Sequence, residues 1–407
     1  MGLPTKEQLV ALQAKGDPDT DDRVKALLRE HGEEAVGDLL EVLMRWTPGE
    51  PFPPPNCGVT AKQPLVDFAW TYVNQPPFQG AMNGKVDWAK VLRAQKFYDR
   101  HQNTGLMILG CGSLPACYSI PGVAGVLMGS GKLSLHVRGR LEETIAYLKE
   151  VMKPGTLGEA PGLTGNLWVR KVRLMHGIMR GLILADPAKF NHLPADRASR
   201  VLMKRPWGQP KDYPIDQVEL GFVLLTFSWM VVRGFRKMNI WTSGSRADDH
   251  VYAWAVIGYG LGVEEIMRPD NASEAEALFE LIRDEYEEGT EDGRLLVAAL
   301  VYYIIMRLRQ GVREKLPAWL LKLLVSWFKR AGAATLESLS RTLVRLLTGK
   351  DTANKLWVPR APGIHWLAGL GVRFYLWCLD LKNAGDGGVA NVLSREFEKT
   401  RARPFHQ

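Results

Sequence analysis

Trp168-Val169-Arg170-Lys171-Val172-Arg173-Leu174-Met175-His176-Gly177-Ile178-Met179-Arg180 is the stretch on which both the fold and the chemistry turn. At helical spacing the face of His176 collects Val169, Val172, Arg173, Met179, Arg180 and Ile183, an imidazole between two guanidinium groups on an otherwise apolar stripe. Neighbouring positive charge opposes protonation of that ring, and the neutral ring is the form that ligates a metal. The two arginines then need anions, such as haem propionates, and the apolar neighbours suit a flat porphyrin face. The same spacing also suits a helix whose arginines reach solvent and whose histidine is hydrogen-bonded in the core. The residues alone leave both readings standing.

Working outward, three- and four-residue apolar steps dominate the chain, and alternating β patterns are scarce, so the class is mainly α. Leu9, Val10, Leu12, Val24, Leu27, Leu28, Ala35, Leu39, Leu40, Val42 and Leu43 make residues 1–50 an N-terminal helical extension. The prolines at 51, 53, 54 and 55 make Glu50–Gly58 an extended connector into a single domain over 51–394, followed by a loose tail at 395–407. Further helical patterns run through 85–101, 136–153, 166–184, 216–237, 247–262, 272–287, 293–310, 316–331, 334–348 and 366–380. The glycine- and proline-punctuated stretch Gln102–Gly131 reads as buried and irregular. The dense apolar runs Leu220–Val232 and Leu295–Met306 are shorter than the roughly 20 residues a hydrocarbon core requires, and they read as core helices.

With 46% hydrophobic and 24% charged residues, the 407-residue chain is neither disordered nor a disulfide scaffold. Cys57, Cys111, Cys117 and Cys378 form no Cys-x-x-Cys pair, and they read as reduced core thiols. The net charge of +8 is concentrated at the end: residues 301–407 hold 18 Lys and Arg against 7 Asp and Glu, leaving 34 against 37 elsewhere. Lys315, Lys322 and Lys329, beside Trp319 and Trp327 in Leu316–Arg330, suit either peripheral contact with an anionic membrane or a core-packed helix with solvated lysines. Arg341, Arg345, Lys350 and Lys355 extend the basic surface, and no groove-reading element for nucleic acid is present. The N-terminus opens into a polar helical pattern with no export signal, which points to the cytoplasm.

Motifs for other chemistries fail. Gly129-Ser130-Gly131-Lys132 lacks the spacing of a phosphate loop, and Gly258-Tyr259-Gly260-Leu261-Gly262 lacks the third glycine of a dinucleotide fingerprint and reads as close helix packing. His250 reads as a solvated residue at a helix start, while His136 lies near Arg138 and borders any pocket there. A second helical stretch places Arg140 and Thr144 four apart, a cation and a hydroxyl suited to charge developing on dioxygen, or equally a surface Arg–Glu ladder.

These stretches occur in an order that resembles the latex clearing protein, or rubber oxygenase, family, which includes the fungal oxygenase of mycophenolic acid biosynthesis. The resemblance covers about residues 15–290: Gly16-Asp17-Pro18; Cys111-Gly112-Ser113-Leu114-Pro115 and Tyr118; Arg140 and Thr144; Lys171 to His176; Trp207-Gly208; Pro214-Ile215-Asp216-Gln217; Leu224 to Ser228; and Trp254 to Val263. It implies an all-α, globin-like core with additional N- and C-terminal helices and a non-covalent haem b. It also implies cleavage of a C=C bond of an apolar, unsaturated, isoprenoid-like substrate by dioxygen. By the same resemblance His176 is the proximal iron ligand and Arg140 with Thr144 is the distal polar pair. Arg173 and Arg180 are then candidate propionate partners, and Met175 and Met179 line the pocket. The chain departs from the family at Glu143, where a subgroup has lysine, and at Gln217-Val218-Glu219-Leu220. No carboxylate in Ser113–Gly131 offers itself as a base. A carrier or sensor that keeps the scaffold without turnover is the alternative.

Overall fold

A computed structural model describes residues 2–55, 57–129, 133–185, 213–314 and 340–358, with the side chains of 129, 133–140, 302 and 304–314 excepted. The expected segments at 316–331 and 366–380, the tail, Cys378 and Trp207-Gly208 lie outside the described residues. Helices account for the regular structure, and no β-strand forms among the described residues beyond one isolated bridge between Pro48 and Glu50. The all-α expectation holds.

In chain order the helices are α1 (Lys6–Gln13), α2 (Pro18–His31), α3 (Glu33–Arg45), α4 (Gln63–Val73), α5 (Trp88–Arg100), α6 (Gln102–Ile108), α7 (Leu114–Tyr118), α8 (Pro121–Gly129), α9 (Leu133–Val151) and α10 (Thr164–Ala185). They continue with α11 (Gln217–Phe227), α12 (Trp229–Lys237), α13 (Gly244–Gly260), α14 (Ala272–Tyr286) and α15 (Glu291–Glu314). Local chemistry sets several starts: the Thr5 and Gln8 side chains close a capping box on α1, and Asp216, Ser243 and Asn271 accept backbone N–H bonds at the starts of α11, α13 and α14.

One expectation is corrected. Of Gln102–Gly131, the described part, to Gly129, is helical: α6 runs through a π-turn at Leu109–Ser113 into α7, and α8 follows at once. Pro121 sits in the first turn of α8, where a missing N–H costs no helical bond, and burial against neighbours outweighs the weak helix propensity of the glycines. The run 216–237 is also broken, into α11 and α12 at Ser228. By length and composition Gln217–Lys237 is long and apolar enough to cross a membrane, yet 83% of its apolar window is buried inside the fold.

The element that organises the rest is α10. It packs against α2, α3 and α4 on one side and against α9 and α13 on the other. Leu167, Leu174 and Ile178 belong to a core shared with Val24, Leu39, Leu43 and Tyr72, whereas Trp168 and Val169 belong to the main core with Trp254 and Phe222. A helix flanked on two sides needs apolar residues around most of its circumference. The glycines of α13 work as helix-packing positions, as expected: a Cβ on Gly258 would stand 2.6 Å from a Leu224 methyl.

Candidate functional site

Between these helices lies a cavity of about 300 Å³, at the lower end of the range for small-molecule sites. Its wall is mostly aliphatic and aromatic, with contributions from α3 (Leu40, Met44), α8 (Val123, Val126), α10 (Val172) and α11 (Val223, Phe227). Into this apolar space α10 brings Lys171, Met175, His176 and Met179, and α9 brings Glu143, Thr144 and Tyr147. Glu219 of α11 and Trp254 of α13 complete the polar lining. The structure therefore brings His176, Thr144, Met175 and Met179 together around one space. Arg140 lies in α9, one turn before Thr144, but its side chain and those of Arg138 and His136 lie outside the described residues.

Arg173 and Arg180, expected as propionate partners, do not line the cavity. They turn toward α2, whose carboxylates pair with both, although Nη2 of Arg180 stays buried without a hydrogen-bond partner among the described residues. Arg173 donates from Nε and Nη2 to Asp17 at 2.6 and 2.8 Å. Arg180, 1% exposed, donates from Nε to Asp21 at 2.7 Å and from Nη1 to the Ile215 carbonyl at 2.8 Å. Burial alone would raise the pKa of Asp17, but the Arg173 guanidinium outweighs it and holds the carboxyl below its usual range. At Asp21 burial wins over Arg180, and the carboxyl is raised.

Around this pair the separate motifs of the sequence meet. Gln217 Nε2 donates to the carbonyls of Gly16 and Gly262, and its Oε1 accepts from the Glu264 N–H at 2.8 Å. Gly16-Asp17, Ile215-Asp216-Gln217 and Gly262 thus form one clasp that fixes α2, α10, α11 and the end of α13. This is the polar network in which Gln217-Val218-Glu219-Leu220 takes part.

Lys171 is a lining residue to which sequence reasoning gave no role. Its Nζ donates to the Trp46 carbonyl at 2.6 Å and lies 4.5 Å from the centre of the Trp168 ring. Burial lowers its pKa to about 8, against the opposing pull of Glu143. The unfolded chain takes up this proton near pH 10.5 and the folded chain only near 8, so between those values the unfolded state binds more protons. Stability should therefore rise with pH across that window, and Lys171→Met should flatten the rise in melts taken from pH 8 to 10.5. An unchanged slope would remove Lys171 as its source.

His250 is also corrected. Helix α13 starts at Gly244, six residues earlier, so the ring is wholly buried, with Nε2 3.3 Å from the Phe227 carbonyl and its plane stacked near Tyr98. Burial pulls its pKa down to about 4, and the ring is neutral. Cys111 and Cys117 are the expected buried thiols, pushed up to about 12 by desolvation, whereas Cys57 is only half-buried. The expected basic surface is partly used internally: Lys355 pairs with Glu287 at 3.0 Å, and Arg345 donates to the Val358 carbonyl.

Among the described residues no three His, Cys, Asp or Glu side chains converge on a metal position. A single imidazole on an apolar wall is the donor set suited to a macrocycle that brings its own equatorial nitrogens, and the residues present fit a haem in that respect.

A family model described as the catalytic domain of ER-bound oxygenase mpaB/B' and rubber oxygenase matches residues 98–375, more than half of the chain. A solved structure of latex clearing protein in the closed state superimposes with a TM-score of 0.62 at 16% identity, covering 90% of this chain and 84% of that one. At that identity the likeness establishes the fold. No curated protein sequence matches this chain.

Proposed function

Because the chain belongs to the family of ER-bound mpaB/B' and rubber oxygenases, we propose that it is a haem b-dependent oxygenase that uses dioxygen to cleave a C=C bond of an apolar, isoprenoid-like substrate to carbonyl products. The observation that carries this reading is the convergence of His176 and Thr144 on one apolar cavity from α10 and α9. Haem bound there would supply the oxygen chemistry that no protein side chain provides.

The chain's own residues would do the rest. His176 would hold the haem iron through its imidazole, and Met175, Met179 and Val172 would form the apolar, adaptable wall beside it. Thr144 offers a hydroxyl donor to negative charge developing on dioxygen, with Arg140 one turn away on α9 as the second donor. The aliphatic lining excludes water and holds the chain of the substrate by contact area. Arg173 and Arg180 orient α10, and so His176, through the α2 clasp.

Thr144→Ala should keep its haem spectrum but lose turnover on the order of 10²-fold, the scale for removing one donor to developing negative charge. Oxygen uptake with an unsaturated isoprenoid measures it. Equal rates in both proteins would take Thr144 out of the reaction, and no uptake by the parent chain with any alkene would favour a carrier.

A further inference from the structure

On α10, Arg173 and Arg180 are each paired with an aspartate, but Lys171, only 2% exposed, has no hydrogen-bonded carboxylate. Its ammonium carries three N–H donors and spends one on the neutral Trp46 carbonyl, while the Trp168 ring lies 4.5 Å from Nζ. Glu143 pulls on it at longer range, and that pull does not offset burial. A buried cation that meets neutral groups at close range is costly. Among the described residues Lys171 is also the one lysine or arginine lining the cavity.

A second donor stands at the same part of the wall. Tyr147 of α9 lines the cavity, its ring centre is 6.3 Å from that of Trp168, and its Oη is buried with no hydrogen-bond partner. Burial raises the phenol, so it remains a donor throughout the neutral range. Lys171 and Tyr147 thus flank one indole, Trp168, which itself lines the cavity.

A cation and a neutral donor around one ring of an apolar space describe the group that completes them. A hydrocarbon satisfies neither. A ketone or an ester accepts from the donors but leaves the charge uncompensated. A phosphate brings nearly two negative charges to a single cation. A carboxylate brings one charge and two acceptor oxygens.

We propose that Lys171 and Tyr147 form a carboxylate-binding site beside Trp168, which anchors a singly charged head while the aliphatic wall takes the apolar remainder of the ligand. Two sources supply such a head: a propionate of the haem proposed for this cavity, or a substrate that is an unsaturated acid. The site goes beyond the oxygenase reading and does not depend on turnover.

The test compares acids with their esters in the full-length protein. In one arm the haem-free protein is titrated with haem b and with haem dimethyl ester, read at the Soret band. In the other the haem-loaded protein, or the protein as purified if it takes no haem, is titrated calorimetrically with farnesoic acid and methyl farnesoate. The acid should bind about tenfold more tightly than its ester in at least one arm, the scale of one hydrogen bond between charged partners. Preference in the first arm assigns the site to a propionate, and preference in the second assigns it to the substrate. In that arm Lys171→Met should divide the preference by about ten and Tyr147→Phe by about three. Lys171→Met replaces a buried charge with an apolar chain and should keep the fold; if a variant does not fold, the acid-to-ester ratio of the parent decides alone. Equal binding of acid and ester in both arms overturns the proposal, as does a preference that either variant leaves unchanged, or no binding of any probe. Oxygen uptake is not read, so failure of the oxygenase reading shows separately, as acid-selective binding without turnover.

Discussion

His176→Ala, expressed with ample haem supply, should leave purification without a Soret band while keeping its helical circular dichroism. On α10 itself no neighbour substitutes for it: Lys171 is committed to the Trp46 carbonyl, and Met175 and Met179 are soft thioethers suited to filling apolar gaps. Loss of the ligand itself should cost more than the roughly 10–100-fold in affinity that removing a group around a metal ligand costs. Oxygen uptake should fall with it. The measurement is an absorption spectrum of parent and variant as purified, after dithionite and after carbon monoxide. Full haem occupancy with an unchanged spectrum in the variant would end the assignment of His176.

The second large effect concerns stability. Arg180→Met should destabilise the fold by about 3–5 kcal/mol, because it leaves Asp21 as a buried carboxylate without its partner. The same change removes the donor to the Ile215 carbonyl and loosens the clasp at the start of α11. Adding Asp21→Leu to Arg180→Met should recover much of the loss, since the pair is then replaced by apolar groups together. Chemical denaturation of the parent, both single variants and the double variant gives the coupling. If Arg180 held a cofactor anion instead, Asp21→Leu would leave stability nearly unchanged while Arg180→Met lowered haem content.

The stretch Trp168–Arg180 shows how far the sequence carried and where it stopped. Its periodicity identified a helix with His176 facing an apolar surface, and that surface does line a cavity with Met175 and Met179. The same periodicity grouped Arg173 and Arg180 with His176, because positions three and four apart share a face. A face wide enough to hold all of them meets two neighbours, and which neighbour each side chain chooses depends on carboxylates more than 150 residues away, at Asp17 and Asp21. Long-range pairing of that kind leaves no periodic trace. The place of Glu219 on the cavity wall was hidden for the same reason: it sits against Gly122 of α8, a contact between segments far apart in sequence. The stretch from Gln102 misled in the other direction, since as far as Gly129 burial carried a glycine-rich segment into helix against its local propensity.

The N-terminal helices have a practical consequence. The family match begins at residue 98, after α2 has supplied Asp17 and Asp21 and after α3 has supplied Leu40 and Met44 to the cavity wall. A boundary drawn by alignment is therefore not a boundary drawn by folding. A fragment trimmed to the matched region would expose one flank of α10 with two stranded guanidinium groups and a breached pocket. Any attempt to minimise this chain for engineering should therefore keep α2 and α3.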